Sequence, residues 1–140
     1  GDHGDSELAV WSSANVSGIG INDFCELRGH YEHDEAMDRI YRTVRDSAYE
    51  IIERKGATYY GVAMAVSRIA ESIIRNEHSV LPVSSLMEGE YGLTDLCISV
   101  PTIVSAKGAE QVLEIPLSQE EKEKLQKSAA ELKKVLDSAI

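Results

Sequence analysis

The spacing of apolar residues changes twice along this chain of 140 residues, and these changes constrain its fold more than any other feature. From Asp34 onward, apolar residues recur every three to four positions, which gives an α-helix one apolar face. These residues are Met37, Ile40, Tyr41, Val44, Ala48, Ile51 and Ile52. The pattern predicts a helix of about 20 residues, with Asp34 as its N-cap and Gly56 just after its end.

A second helix is predicted from about Thr58 to Asn76. Its first half, Tyr59 to Val66, is apolar on nearly every side, so we expect this half to be buried or to face the wall of a pocket. Gly61 lies inside it and lowers the stability of the helix by roughly 1 kcal/mol relative to alanine. A glycine at such a position indicates close packing or room for a ligand.

Strands and one more long helix are predicted for the rest of the chain. Residues 80–87 and 93–104 form a predicted hairpin around a glycine-containing turn, and residues 111–115 form a third strand. Ser118 begins the last helix, and Glu121 completes a capping box with it. The sequence therefore predicts one α+β domain over residues 1–140, with long helices packed on an antiparallel sheet.

Charge and composition exclude several classes of protein. The formal net charge of −10 argues against nucleic acid or a membrane surface as a partner, because both attract basic residues. No run of residues approaches the roughly 18 apolar positions of a membrane helix, and the first residues do not resemble a signal peptide. We expect a cytoplasmic domain in which Cys25 and Cys97 are buried, reduced thiols rather than a disulfide.

Histidines are the main candidates for chemistry in this sequence. His30 and His33 are flanked by acidic residues, but their spacing before a helix does not bring them to one face, so we expect no metal site there. His3 lies between Gly1-Asp2 and Gly4-Asp5, where glycine lets the backbone bend sharply and approach a ligand. An imidazole exchanges protons near neutral pH, although a histidine in a tight turn needs no catalytic role.

Three segments, taken together, carry a resemblance to a known family. They are Gly-Asp-His-Gly-Asp-Ser-Glu-Leu-Ala-Val-Trp-Ser at residues 1–12, Lys-Gly-Ala-Thr-Tyr-Tyr-Gly at residues 55–61, and Gly-Glu-Tyr-Gly at residues 89–92. The first resembles the active-site histidine segment of bacterial L-lactate dehydrogenases, the second their substrate-pocket helix and the third their late hairpin. Malate dehydrogenases share the His-Gly-Asp core but usually lack the Val-Trp-Ser continuation, so the resemblance favours lactate.

The resemblance implies roles for individual residues. His3 matches the catalytic residue that takes the hydroxyl proton of L-lactate while hydride passes to NAD, and that protonates the carbonyl oxygen of pyruvate in the reverse direction. Thr58 and Ala48 match residues of the substrate pocket, and Val62 matches an apolar residue against the nicotinamide. Simpler structural roles also fit: Thr58 as a helix N-cap, Val62 as core, and Asp5 as a carboxylate that orders the loop.

The resemblance covers the C-terminal, substrate-side part of that family. It implies that the dinucleotide-binding domain, which would hold NAD, is absent from residues 1–140, and that the parent is a cytoplasmic homo-oligomer, specifically a tetramer. The isolated chain is expected to be inactive and to expose apolar surface that the absent part would cover. Two alternatives stay open: a dehydrogenase of malate or another 2-hydroxy acid, and a non-catalytic interaction or assembly module of the same shape.

Overall fold

Long helices and a small antiparallel sheet make up most of the structure. The computed structural model describes residues 5–139 of the chain. Its long helices are α2 (Asp34–Lys55), α3 (Tyr59–Ile74) and α4 (Gln119–Ala139). Strands β3 (Ser79–Glu88), β4 (Thr94–Ser105) and β5 (Gly108–Val112) form an antiparallel sheet in that order. Before them come the short hairpin of β1 (Asn15–Val16) and β2 (Ile19–Gly20) and the helix α1 (Ile21–Leu27). The predicted α+β fold class is confirmed.

The ends of α2 and α4 are capped largely as the sequence predicts, with one difference at the start of α2. His33, not Asp34, occupies the N-cap of α2, and Asp34 lies in the first turn, where its charge favours the positive end of the helix. Gly56 adopts a left-handed conformation with φ of 80° and ends α2, as predicted. The predicted capping box is also confirmed, because Ser118 Oγ accepts from the Glu121 amide and the Ser118 amide donates to Glu121 Oε2.

The third strand begins earlier than predicted. The sequence pattern placed it at residues 111–115, but β5 spans Gly108–Val112. The turn after β4 is tight, so Gly108 already pairs with Ser105, and a bulge follows at Ile103–Val104. The expectation failed because residues 108–111 contain few apolar side chains, although they do pair with β4. In the hairpin of β3 and β4, Pro82 lies directly opposite Pro101.

The core lies between one face of the sheet and α4. Its buried side chains are Met87, Leu96, Ile98, Val100, Leu125 and Ala129. Leu8, near the beginning of the chain, and Tyr91, in the β3–β4 connection, pack against this cluster. Helix α3 is attached separately, since the buried Ser72 Oγ donates a hydrogen bond of 2.9 Å to the Val104 carbonyl oxygen on β4.

Helix α3 does not bury its apolar first half, so burial, one of the two expectations for it, is wrong, whereas Ala65 of this half does line the wall of a cleft. Tyr60 and Met64 are each 72% exposed, and Val66 is also exposed. The expectation of uncovered apolar surface on this chain is therefore confirmed. The expectation that both cysteines are buried is wrong, because Cys97 is exposed and Cys25 is only partly buried. No helix among residues 5–139 has the length and apolarity needed to cross a membrane.

The position of the core predicts very different losses of folding stability for two substitutions on the hairpin. Ile98→Ala should destabilise the chain by about 2–5 kcal/mol, because Ile98 is 1% exposed and its removal leaves a cavity against α4. Leu86→Ala is the matched control, since Leu86 is 55% exposed, and it should cost much less. Urea unfolding followed by circular dichroism measures both values, and equal losses would contradict this assignment of the core.

Candidate functional site

The candidate site begins with the segment that follows His3. His3 itself lies outside the described residues, so its position is not part of the structure described here. The structure does describe residues 5–13, which we call the N-terminal segment, and this segment lies against both α2 and α4. Residues 5–13 are therefore attached to two long helices.

Two tyrosines of α2 hold the beginning of the N-terminal segment. Tyr49 Oη donates a hydrogen bond of 2.7 Å to Asp5 Oδ1, and Tyr41 Oη donates one of 2.6 Å to the Glu7 carbonyl oxygen. The hydrogen bond to the Asp5 carboxylate, together with its negative charge, raises the pKa of Tyr49. Since Asp5 accepts this bond, the contact supports its interpretation as a carboxylate that orders the loop.

Helix α4 holds the other end of the N-terminal segment through Glu121. The Ser12 amide donates to Glu121 Oε1 over 3.0 Å, and Ser12 Oγ donates to Glu121 Oε2. The Ser118 amide donates to Oε2 as well, over 2.8 Å. Burial alone would raise the pKa of Glu121, but the hydrogen bonds from Ser12 and Ser118 outweigh it, and the pKa lies below its ordinary value.

One predicted pocket residue, Thr58, and the predicted nicotinamide contact, Val62, lie together at the start of α3. Thr58 is half-buried at the N-cap position, and its carbonyl oxygen accepts a hydrogen bond of 3.4 Å from the Val62 amide. The Thr58 hydroxyl makes no capping hydrogen bond, so capping does not explain this residue. Val62 is 54% exposed, which rules out its interpretation as core within this chain. Both side chains are therefore accessible on one turn of the helix.

The other predicted pocket residue lies on the neighbouring helix. Ala48 is half-buried on α2 and precedes Tyr49, the residue that binds Asp5. No hydrogen bond described for residues 5–139 links Ala48 to Thr58 or Val62. The structure thus places Ala48 beside the attachment of the N-terminal segment, and it places Thr58 and Val62 on a separate helical turn.

The N-terminal segment also bounds an apolar cleft of about 650 Å³. Glu7, Leu8 and Val10 line one side of this cleft. Ala65 of α3 and Val100 of β4 are among the residues of the other sides. None of Thr58, Ala48 and Val62 is among the described residues that line it. The cleft is accordingly distinct from the predicted pocket residues.

Sequence reasoning missed the second role of Glu121. It assigned this residue to the capping box alone, because Ser118 is three positions away, whereas Ser12 is 109 positions away. The sequence gives one indication of this contact: Ser12 is a polar residue directly after an apolar stretch that ends at Trp11. The roles of Tyr41 and Tyr49 as donors were missed in the same way, because their hydroxyl groups reach residues distant in sequence.

The histidines near α1 have structural partners. His33 Nε2 lies 3.0 Å from Asn22 Oδ1, and His33 Nδ1 lies 3.2 Å from the His30 carbonyl oxygen. Within residues 5–139, no three side chains of histidine, cysteine, aspartate or glutamate lie close enough together to hold a metal ion. These partners give His33 a structural role that needs no metal.

Comparisons of this chain with known proteins all identify the same family. The family model for the lactate/malate dehydrogenase α/β C-terminal domain matches residues 1–140. An L-lactate dehydrogenase of Acetivibrio thermocellus is 51% identical over 136 residues, which cover 97% of this chain and 43% of that protein. L-lactate dehydrogenase 1 of Enterococcus faecalis is 48% identical over 140 residues, or 100% of this chain and 42% of that protein.

Solved structures lead to the same family. A crystal structure of the minor L-lactate dehydrogenase of Enterococcus mundtii in its ligand-bound form superposes with a TM-score of 0.94 at 41% identity, over 100% of this chain and 44% of that one. The chain spans less than half the length of these relatives. Residues 1–140 form an α/β C-terminal domain of this kind, and the chain belongs to the lactate/malate dehydrogenase family.

Proposed function

We propose that this chain is the substrate-side part of an enzyme that interconverts pyruvate and L-lactate with NADH and NAD. The observation that carries the proposal is the identity of 48–51% to proteins named L-lactate dehydrogenase, which extends over essentially the whole chain. In this proposal His3 is the proton donor and acceptor. The following segment is attached to α2 through the Asp5 side chain and to α4 through the Ser12 amide, which supports a role that needs a fixed position.

The chain supplies only part of a site for NAD. When bound, this cofactor accepts hydride from the substrate or donates hydride to it. The exposed apolar side chain of Val62 suits contact with the face of a nicotinamide ring. The sequence contains no glycine-rich dinucleotide fingerprint, so we assign the rest of the cofactor site to a domain outside these residues.

The proposed substrate pocket favours a small group. Thr58 offers a hydroxyl that is not used for capping, and the methyl side chain of Ala48 leaves room beside it. The Val-Trp-Ser continuation at residues 10–12 supports pyruvate and lactate over malate, the first alternative.

We also propose that the parent is a cytoplasmic homotetramer. The exposed apolar residues on α2 and α3, which include Ile40, Val44, Tyr60 and Met64, form a surface that a further domain or neighbouring subunits would cover. Free cysteines agree with a reducing compartment. The same apolar surface would serve a non-catalytic assembly module. A measurement of activity, rather than the shape of the domain, therefore distinguishes the enzyme from the module.

The division of the site leads to a first prediction for activity. The 140-residue chain alone should not oxidise NADH in the presence of pyruvate, because it lacks most of the cofactor site proposed above. The measurement is the loss of NADH absorbance, with the full-length parent as the positive control. Turnover by the isolated chain at a rate near that of the parent would contradict the division of the site.

A second prediction concerns His3 in the full-length parent. His3→Asn should lower kcat for pyruvate reduction by about 10²–10⁴-fold, because general acid–base catalysis contributes an acceleration of that order. NADH binding, followed by fluorescence titration, should change little. His78→Asn is the control, since His78 is an exposed residue beside Glu110 and should leave kcat unchanged. A parent without dehydrogenase activity would favour the assembly module.

A third prediction tests the contact next to His3. Asp5→Asn should lower the pKa of Tyr49 toward its ordinary value, because the variant removes the negative charge of the acceptor, which contributes to the raised pKa. Glu7→Gln is the control, because Glu7 contributes its backbone carbonyl rather than its carboxylate to the contact with α2. Tyrosine titration by NMR measures this pKa, and an unchanged value in Asp5→Asn would show that the contact is absent in solution.

A further inference from the structure

We propose that Glu121 is a pH-sensitive switch, which holds the Ser12 end of the N-terminal segment on α4 while its carboxylate is charged and loosens it when the carboxylate takes up a proton. The inference concerns contacts within residues 5–139 alone, so it is independent of the proposed activity. Ser12 and Glu121 are 109 positions apart in sequence, and their contact joins the N-terminal segment directly to the first turn of α4.

Both oxygens of the Glu121 carboxylate accept hydrogen bonds. Oε1 accepts from the Ser12 amide over 3.0 Å, and Oε2 accepts from Ser12 Oγ and, over 2.8 Å, from the Ser118 amide. The residue is only 7% exposed. A capping box needs the contact with Ser118 alone, so Glu121 caps α4 and also binds the N-terminal segment. We call Ser12, Ser118 and Glu121 the Glu121 junction.

A proton on this carboxylate would weaken the Glu121 junction wherever it binds. Oε2 already has two donors, so a proton on Oε2 displaces one of them. A proton on Oε1 leaves that oxygen a weaker acceptor for the Ser12 amide, because the hydrogen bond is then no longer assisted by the negative charge. An unmatched donor in a largely buried place costs more than the loss of a surface hydrogen bond.

The same hydrogen bonds set the range of pH in which the switch acts. Burial alone would raise the pKa of Glu121, but the bonds from Ser12 and Ser118 outweigh it, and the pKa lies below its ordinary value of about 4.5. Because the folded chain has the lower pKa, the contact contributes stability above about pH 4.5 and loses it as the pH falls through the folded pKa. The Glu121 junction should therefore loosen in acid.

Other charged groups around the Glu121 junction do not replace its hydrogen bonds. On α4, Glu120 pairs with Lys124 over 2.7 Å, and the charge of Glu121 acts on Lys124 as well. Further titratable groups lie on the surrounding elements: Asp34, Asp38 and Tyr41 on α2, Lys122 on α4, and Glu114 in the connection that leads to α4. No ion pair described for residues 5–139 includes Glu121, so its charge depends on the hydrogen bonds from Ser12 and Ser118.

The other end of the N-terminal segment should stay attached in acid. Asp5 accepts a single hydrogen bond of 2.7 Å from Tyr49 Oη, and a protonated carboxyl group keeps an oxygen that can accept one bond. Tyr41 Oη donates to the backbone carbonyl of Glu7, which does not titrate. Acid should therefore loosen the N-terminal segment from α4 and leave it on α2.

Hydrogen exchange of the full-length parent, measured for single amides by mass spectrometry, tests the switch. Between pH 7 and pH 3, the protection factors of the Ser12 and Ser118 amides should fall by about tenfold, which is the effect expected for one unmatched donor. Protection factors are the measure because they correct for the pH dependence of exchange itself. The amides of the β3–β4 hairpin should keep their protection, since they bind backbone carbonyl groups.

Glu121→Gln reproduces the uncharged state at neutral pH, so the test does not depend on the parent remaining folded in acid. Glutamine has the same shape, but its NH₂ group turns a donor toward the donors of the Glu121 junction. At pH 7 this variant should show the same loss of about tenfold in protection at Ser12 and Ser118. Glu120→Gln is the matched control, because Glu120 is the adjacent residue and its side chain is 75% exposed. It should keep both the protection at pH 7 and the response to acid.

The outcomes are distinct. A loss of protection confined to Ser12 and Ser118 in Glu121→Gln, with the β3–β4 hairpin unchanged, supports the switch. Full protection of both amides in this variant at pH 7 would show that the charge of Glu121 does not hold the N-terminal segment, and the proposal would be wrong. A simultaneous loss in the hairpin at pH 7 would also overturn it, because Glu121 would then support the whole domain rather than one local contact.

Discussion

The packing of the sheet against α4 is the interaction on which the other parts of this domain depend. Met87 and Ile98 on the hairpin and Leu125 on α4 exclude water from one face of the sheet. The face they form also receives Leu8 from the N-terminal segment and Tyr91 from the β3–β4 connection. Without that face, neither the N-terminal segment nor the connection to α4 would have a surface to pack against. The core and the candidate site therefore depend on the same buried side chains.

Features with local causes could be predicted from the sequence. The capping box of Ser118 and Glu121, the end of α2 at Gly56 and the β3–β4 hairpin each depend on residues close together in the chain. The start of β5 was predicted too late, because apolar alternation is weak where a tight turn already enforces pairing. Burial was one of two expectations for the first half of α3, and it is wrong, since an apolar pattern shows that a helix needs a cover but not that the cover belongs to the same chain.

The candidate site could be predicted only in part. The resemblance assigned roles to His3, Thr58, Ala48 and Val62, and the structure adds that the side chains of Thr58 and Val62 are accessible. The attachment of the N-terminal segment through Tyr49 and Glu121 could not be predicted, because these contacts join residues that only the folded chain brings together. The arrangement of Ala48 relative to the other pocket residues depends on how α2 and α3 lie together, which no periodicity in the sequence encodes.

The facing prolines of the hairpin bear on how such a domain avoids association through its sheet. Strand β3 is an edge of the sheet, and Pro82 on it has no amide hydrogen to offer to another strand. An edge interrupted in this way is a poor template for a second copy of the chain, because continuous strand addition needs an uninterrupted row of donors and acceptors. Backbone pairing at the β3 edge is therefore interrupted at Pro82, which leaves contact through side chains as the alternative there.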